Sequence, residues 1–332
     1  MTRILRRGDV ERLLTMREVV EWMREAFGSI SDGVARVPVR GFLDLPDSRD
    51  GLLTMPAWQP NPPRYAVKLI SLHEKNPAMG LPFAHATVVV IDSSTGELKG
   101  IIEGELLTAI RTGAGSGLAT DLLARDNAHT VVVVGAGRQA ATQLEAVSVV
   151  RAIDECHVVA RSRETGERFA AEMADKLGLR IRWIGRDDPR SSDVLRAADV
   201  VCTATNSSTP VLSADELSPG VHINGVGSHR PDMAELPADL IVSSRVFVDQ
   251  REACLKEAGD IMQPIESGLI TADDLAGELG EVVLGRVAGR TSDEQRTVFK
   301  SVGNGVQDLV TAVRLLEKAE RDGAGLEVDL AR

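Results

Sequence analysis

The stretch Thr130 to Glu145, T-V-V-V-V-G-A-G-R-Q-A-A-T-Q-L-E, decides how the rest of the chain is read. Four successive valines suit a strand buried on both faces, as in a parallel sheet. The run breaks at a glycine pair and continues, without proline, as a helix. In such a turn the first glycine makes the bend, the second lets a pyrophosphate approach the backbone, and a third small residue seats the helix on the strand. Gly135, Gly137 and Ala140 hold those places, and the amides from Ala136 through Arg138 and Gln139 open the helix toward an anion. The stretch predicts a dinucleotide site, and with it hydride chemistry.

The next strand, C-H-V-V-A from Cys156 to Ala160, bears on which dinucleotide. A carboxylate at its end would hold a ribose 2′-hydroxyl, and none stands near Ala160. Arg161, Ser162 and Arg163 follow instead, and guanidinium groups bind phosphate bidentately. The expected cofactor is therefore NADPH, with NADH as the alternative.

The whole chain sets limits. Its 332 residues suggest two domains, each large enough for its own core. A net charge of -11 and a pI near 5.2 argue against nucleic acid or an anionic membrane as partner. The start, M-T-R-I-L-R-R-G-D-V, lacks the apolar core of a signal peptide, and no apolar run is long enough to span a bilayer, so a cytoplasmic protein is expected. Cys156, Cys202 and Cys254 are odd in number and widely spaced, which favours buried free thiols. The six histidines form no metal-binding pattern, and no metal is expected.

Before the valine run, positions 10–30 carry helical periodicity, with Thr15 and Glu18 placed as a capping box that restarts the helix. Then come P-V-R-G-F-L-D-L, L-L-T-M-P-A-W, Y-A-V-K-L-I-S-L and A-T-V-V-V-I-D, read as strands, with a hairpin signal at Asp92 to Leu98. A helix over 103–123 follows. Its glycines would weaken it by about 1 kcal/mol each relative to alanine, so something must approach its backbone closely. After the valine run, strands alternate with short helices, which means a doubly wound parallel sheet with its site at the carboxyl ends of the strands. Two such ends carry hydroxyls and flexible backbone suited to a nicotinamide ring: T-A-T-N-S-S-T-P from Thr203 through Ala204 and Thr205 to Pro210, and N-G-V-G-S-H-R-P-D from Asn224 through Val226, Gly227 and Ser228 to Asp232. A last amphipathic helix, 304–320, is expected to cross back onto the first domain, and the tail after Asp322 is expected to fray.

In this order the pieces resemble the ornithine cyclodeaminase/μ-crystallin family over nearly the full length. The resemblance rests on P-V-R at Pro38 to Arg40, M-P-A at Met55 to Ala57, Y-A-V-K at Tyr65 to Lys68, and E-G-E-L-L-T-A-I-R-T-G-A-G-S-G-L-A-T at Glu103 to Thr120. It continues through V-G-A-G-R-Q-A, T-A-T-N-S-S-T-P-V, G-V-G-S-H-R-P-D-M-A-E-L, E-A-G-D and V-F-K-S-V-G-N. It implies an α/β protein: a Rossmann domain over 119–304, inserted into a smaller α+β substrate and dimerisation domain made of 1–118 and 305–332, in a homodimer. It further implies that Arg40, Lys68 and Arg111 hold a substrate carboxylate. Thr112, Lys300 and Ser301, inside matched stretches, join the candidates for cofactor contact.

The chemistry of the residues agrees with that implication. An α-imino or α-keto acid needs cations for its carboxylate, and Arg111 offers a bidentate fork. Lys68 lies in an apolar strand that would desolvate it and lower its pKa toward a useful proton donor. Arg36, four residues before Arg40, is a competitor for that place. The family's cyclodeaminases carry an aspartate where this chain has His229 and a glutamate where Leu53 aligns. Without those carboxylates a dibasic amino acid would leave its terminal ammonium unpaired, at about 1 to 3 kcal/mol or more. His229 could instead supply a proton near neutral pH. The expected activity is reduction of a small α-imino acid to an L-amino acid by NAD(P)H, with Lys68 and His229 as catalytic candidates. The rivals are an ammonia-releasing cyclodeaminase and a crystallin-like protein that only binds NADPH.

Overall fold

The computed structural model describes residues 1–48 and 50–330. Contacts divide the chain into two compact units, Met1–Arg111 with Asn304–Arg332, and Thr112–Gly303. The sequence-based division at 118/119 cuts the same helix nearer its end.

The first unit opens with β1 (Thr2–Leu5), α1 (Arg7–Leu13) and α2 (Met16–Ser31), followed by β2 (Gly41–Asp44), β3 (Gly51–Pro60), β4 (Pro63–Leu72), β5 (Ala84–Asp92) and β6 (Leu98–Glu103). The break between the two helices falls at Thr15, whose hydroxyl accepts the Glu18 amide at 3.4 Å while donating to the Glu18 carboxylate at 2.6 Å. Strands β2 to β6 form an antiparallel meander, each pairing with the next, with a turn over 92–97 between β5 and β6. The helix α3 (Gly104–Leu123) carries the chain onward. The Glu103 carboxylate caps it, accepting from the amides of Glu105 and Leu106 at 3.0 Å.

The second unit alternates strand and helix: β7 (Thr130–Val134), α4 (Arg138–Val150), β8 (Glu155–Ala160), α5 (Arg163–Leu177), β9 (Ile181–Gly185), α6 (Arg190–Ala197), β10 (Val200–Thr203), β11 (His222–Gly225), α7 (Ala238–Val242), β12 (Arg245–Val248), α8 (Arg251–Glu257), α9 (Gly259–Glu266), β13 (Gly277–Glu278), α10 (Leu279–Val283) and β14 (Thr297–Lys300). Its parallel sheet runs β13-β12-β14-β11-β10-β7-β8-β9. The strand order reverses between β7 and β10, where a ligand crevice belongs in a doubly wound sheet. The valines of β7 alternate between two cores: Val132 and Val134 join one, Val131 and Val133 the other. That is why the run has no polar break. The glycines of α3 have their expected cause at Gly113, where a Cβ would stand 2.5 Å from the Thr142 carbonyl of α4. Cys156, Cys202 and Cys254 are buried free thiols.

The chain then returns to the first unit as α11 (Gly305–Arg321), packed on α2 and on the face of β3 and β4, and ends in β15 (Leu326–Val328). The seven-stranded sheet of that unit reads β15-β1-β6-β5-β4-β3-β2. Two expectations need correction. The tail beyond Asp322 is not frayed throughout, because Leu326, Glu327 and Val328 pair antiparallel with β1. Three residues carry no periodic signal, and their partner lies at the other end of the chain. The strand expected from Pro38 starts only at Gly41. Among the described residues no helix is long and apolar enough to cross a membrane.

Candidate active site

In the first unit, the cross-strand register puts Lys68 opposite Met55 of β3 and Val88 of β5. Directly opposed residues share a face, so this lysine lies in an apolar row and is fully buried. The next row of that face is Leu53, Ile70 and Ala86, all half-buried and without a carboxylate. The partner of Lys68 comes from α11: its Nζ lies 2.7 Å from Asp308 Oδ2. The other oxygen of Asp308 takes Arg111 Nε at 3.0 Å, and Arg111 Nη1 donates to Gln307 Oε1 at 3.0 Å. Arg111 thus pairs with neither Glu103 nor Glu105.

Burial pulls the Lys68 ammonium down to about 7, and the Arg111 charge adds to the fall. Asp308 opposes both, and Arg40 acts again in the lowering direction. The field of Arg40 reaches Lys68, whereas Arg36 is exposed and bridges to Trp58 on the sheet. The first unit therefore brings Arg40, Lys68 and Arg111 together. Sequence reasoning missed Asp308 and Gln307. Their signal was a pair of adjacent polar residues on a turn of α11 whose neighbours Val306, Leu309 and Val310 are apolar and buried.

In the second unit a cavity of about 620 Å³ opens at the switch between β7 and β10. It is lined by the turn 135–137, by Ala160 to Ser162, and by Ala204 and Thr205. Gly135 has φ +114 and a Cβ there would stand 2.6 Å from the Ala204 carbonyl, so glycine is required by backbone and by crowding. Gly137 differs: it caps α4 with an ordinary φ of -102, and a Cβ would meet nothing within 4 Å. Nothing among the described residues demands glycine there, which fits a ligand approaching the backbone. Ala140 is fully buried against the core.

The arginines after β8 part company. Ser162 caps α5 by accepting the Thr165 amide at 3.3 Å. Arg163 pairs with Glu167 at 2.8 Å and lies 5.8 Å over the Trp183 ring. Arg161 lines the cavity and has no ion pair among the described residues. Arg186, on the same cavity, holds Glu216 through its two terminal guanidinium nitrogens.

The loops after β10 and β11 are tied by one carboxylate that sequence reasoning also missed. Glu235 accepts from the Thr203 hydroxyl at 2.9 Å, from the amide and hydroxyl of Thr205 at 2.6 and 2.7 Å, and from the Gly227 amide at 2.6 Å. Burial raises its carboxyl, while Lys300 and the Thr205 donors pull it back. The side chain of Lys300 is fully buried, 2.8 Å from Asp260 and donating to the Ser228 carbonyl at 2.6 Å. The Ser301 hydroxyl donates to Asp249 at 2.7 Å. Lys300 thus holds the loop after β11, and Ser301 is tied to Asp249 at the end of β12. Val226 donates its amide to the Thr203 carbonyl, and Ser228 donates its hydroxyl to the Met233 carbonyl. His229 is exposed, its Nδ1 2.9 Å from the Gly227 carbonyl. Thr112 opens this unit on α3, half-buried.

The sequence profile of the ornithine cyclodeaminase/mu-crystallin family matches residues 1–323. A Δ1-pyrroline-2-carboxylate reductase of Bacillus cereus is 37% identical over 327 residues, 98% of this chain and 99% of that protein. The structure of Thermococcus litoralis Δ1-pyrroline-2-carboxylate reductase in complex with NADH and L-proline superposes with a TM-score of 0.94 at 36% identity, covering 98% of this chain and all of that one. An archaeal alanine dehydrogenase dimer with bound NAD superposes with a TM-score of 0.91 at 30% identity, covering 99% of each chain.

Proposed function

The chain belongs to the ornithine cyclodeaminase/mu-crystallin family, and on that footing we propose that it reduces small cyclic α-imino acids of the Δ1-pyrroline-2-carboxylate type to L-amino acids, with NADPH as the preferred reductant. The observation that carries this reading is the buried triad of Lys68, Asp308 and Arg111: two cations share one carboxylate, beside an apolar row. The cluster keeps a positive charge that a substrate carboxylate neutralises, and Arg40 adds a further cation. The row of Leu53, Ile70 and Ala86 suits a hydrocarbon ring. It offers nothing to a terminal ammonium, which disfavours a dibasic substrate and hence cyclodeamination.

The second unit fits a dinucleotide at the 135–137 turn, with Gly137 open to the pyrophosphate and the start of α4 facing it. When bound, the reduced nicotinamide supplies a hydride to the imine carbon. The chain's own groups do the rest. Arg111 and Arg40 orient the acid through its carboxylate, and Lys68, whose pKa of about 7 makes it a competent donor, supplies the proton that the imine nitrogen gains. Glu235 fixes the two loops that carry Thr205 and Gly227. His229 is the second candidate donor. For the 2′-phosphate, Arg161 is the available cation, since Arg163 is committed to Glu167.

We assign homodimerisation to the first unit. Phe42, Leu43 and Leu45 on and after the edge strand β2, with Met79, Leu81 and Phe83 before β5, expose apolar side chains that fit a second copy. The activity is tested by following reduced cofactor at 340 nm against Δ1-pyrroline-2-carboxylate, its six-membered homologue, and pyruvate with ammonia or methylamine. Cyclic imines should be turned over fastest, with a lower KM for NADPH than for NADH. Ammonia release from ornithine without net cofactor change would instead favour the cyclodeaminase.

A further inference from the structure

We propose that Asp308 is a positioning residue: its carboxylate fixes the Lys68 amino group and the Arg111 guanidinium in one arrangement, so that both face a bound carboxylate. This rests on the reading above, which gives Lys68 and Arg111 their ligand. Asp308 enters from the first turn of α11, where the helix N-terminus favours an anion. Its two oxygens are divided, Oδ2 to Lys68 at 2.7 Å and Oδ1 to Arg111 Nε at 3.0 Å. Gln307, the preceding residue, takes Arg111 Nη1 at 3.0 Å and also accepts the Asn304 amide at 3.1 Å, so its amide group is itself held. The guanidinium is held at Nε and at Nη1, and among the described residues Nη2 has no hydrogen-bond partner. Two buried cations that share one buried carboxylate leave a net charge out of water, which is costly unless a further anion pairs it. Here one carboxylate serves two, and the surplus charge points to an anionic ligand.

The charged groups facing Lys68 within its unit are Arg111 from α3, Arg40 from the segment before β2, and Asp308 from α11, while its cross-strand neighbours Met55 and Val88 are apolar. Burial, Arg111 and Arg40 all favour the neutral amine, and Asp308 alone favours the ammonium. Loss of Asp308 would therefore shift the balance further toward the neutral amine.

The test is the titration of Lys68 in the full-length protein, read by NMR on ε-13C-labelled lysine and assigned with K68M, alongside pH profiles of kcat/KM for Δ1-pyrroline-2-carboxylate. In Asp308→Asn the Lys68 midpoint should fall by about one pH unit or more, and the alkaline limb of kcat/KM should move down with it. Asp308→Glu, which keeps the charge, should hold the midpoint near that of the wild type but raise KM. Gln307→Leu, which removes a neutral hold on Arg111, should raise KM and leave the midpoint in place. An Asp308→Asn protein, or an Asp308→Glu protein should the former not fold, that leaves both midpoint and KM at wild-type values overturns the proposal. If the wild type reduces no imine, the functional reading fails, yet the NMR midpoint still decides the role of Asp308.

Discussion

At the scale of single residues, burial makes the proton of Lys68, the proposed donor, labile near neutrality. Burial lowers the pKa to about 7, so the fraction of ammonium falls as pH rises through that value. Imine reduction consumes the proton; kcat/KM should therefore be level below about pH 7 and decline about tenfold per unit above it. Oxidation of the amino acid needs the neutral amine and should rise through the same range. Lys68→Met should lower kcat/KM by about 10²- to 10⁴-fold with the dissociation constant for reduced cofactor unchanged, which stopped-flow and fluorescence titration can separate. Arg161→Ala should raise KM for NADPH while leaving KM for NADH near the wild-type value; an equal effect on both would remove Arg161 from 2′-phosphate recognition. Lys68 was legible from sequence because a lysine inside A-V-K-L-I has no polar face to turn to. Asp308 was not, because the pairing depends on how the last helix of the unit lies over strands far earlier in the chain. Glu235 escaped for a similar reason: a single glutamate in a loop gives no sign that four donors converge on it.

At the scale of elements, the turn between β7 and α4 contains two glycines that look alike in sequence and differ in cause. Gly135→Ala should destabilise the protein by about 1–3 kcal/mol, since it places a Cβ at positive φ and against the Ala204 carbonyl. Gly137→Ala should leave thermal unfolding within about 0.5 kcal/mol of the wild type, because its Cβ meets nothing. It should nevertheless weaken cofactor binding by about tenfold or more, as the added methyl occupies the approach of the phosphates. Loss of stability without loss of affinity at Gly137 would contradict the assignment. The alternation of buried strands and short helices could be read directly, because its periodicity is local. The pairing of β15 with β1 could not: both strands are short, and β15 finds its hydrogen bonds only when the two ends of the chain meet.

At the scale of the whole molecule, the proposed dimer rests on an apolar margin that the first unit exposes. Leu43→Asp, at a side chain 65% exposed, should shift the protein from dimer to monomer in analytical ultracentrifugation without changing its circular dichroism. A dimer that persists would place the interface elsewhere. In the proposed reaction the second unit supplies glycine turns and hydroxyl-bearing loops for the dinucleotide, and the first supplies buried cations for the acid. The most direct measurement is the fate of the label when [4,4-²H₂]NADPH is mixed with Δ1-pyrroline-2-carboxylate and the product is examined by mass spectrometry and chiral chromatography. The account predicts L-proline carrying one deuterium at its α-carbon, formed mole for mole with oxidised cofactor; a cofactor that remains reduced, with no labelled proline at any pH from 5 to about 8, would contradict it.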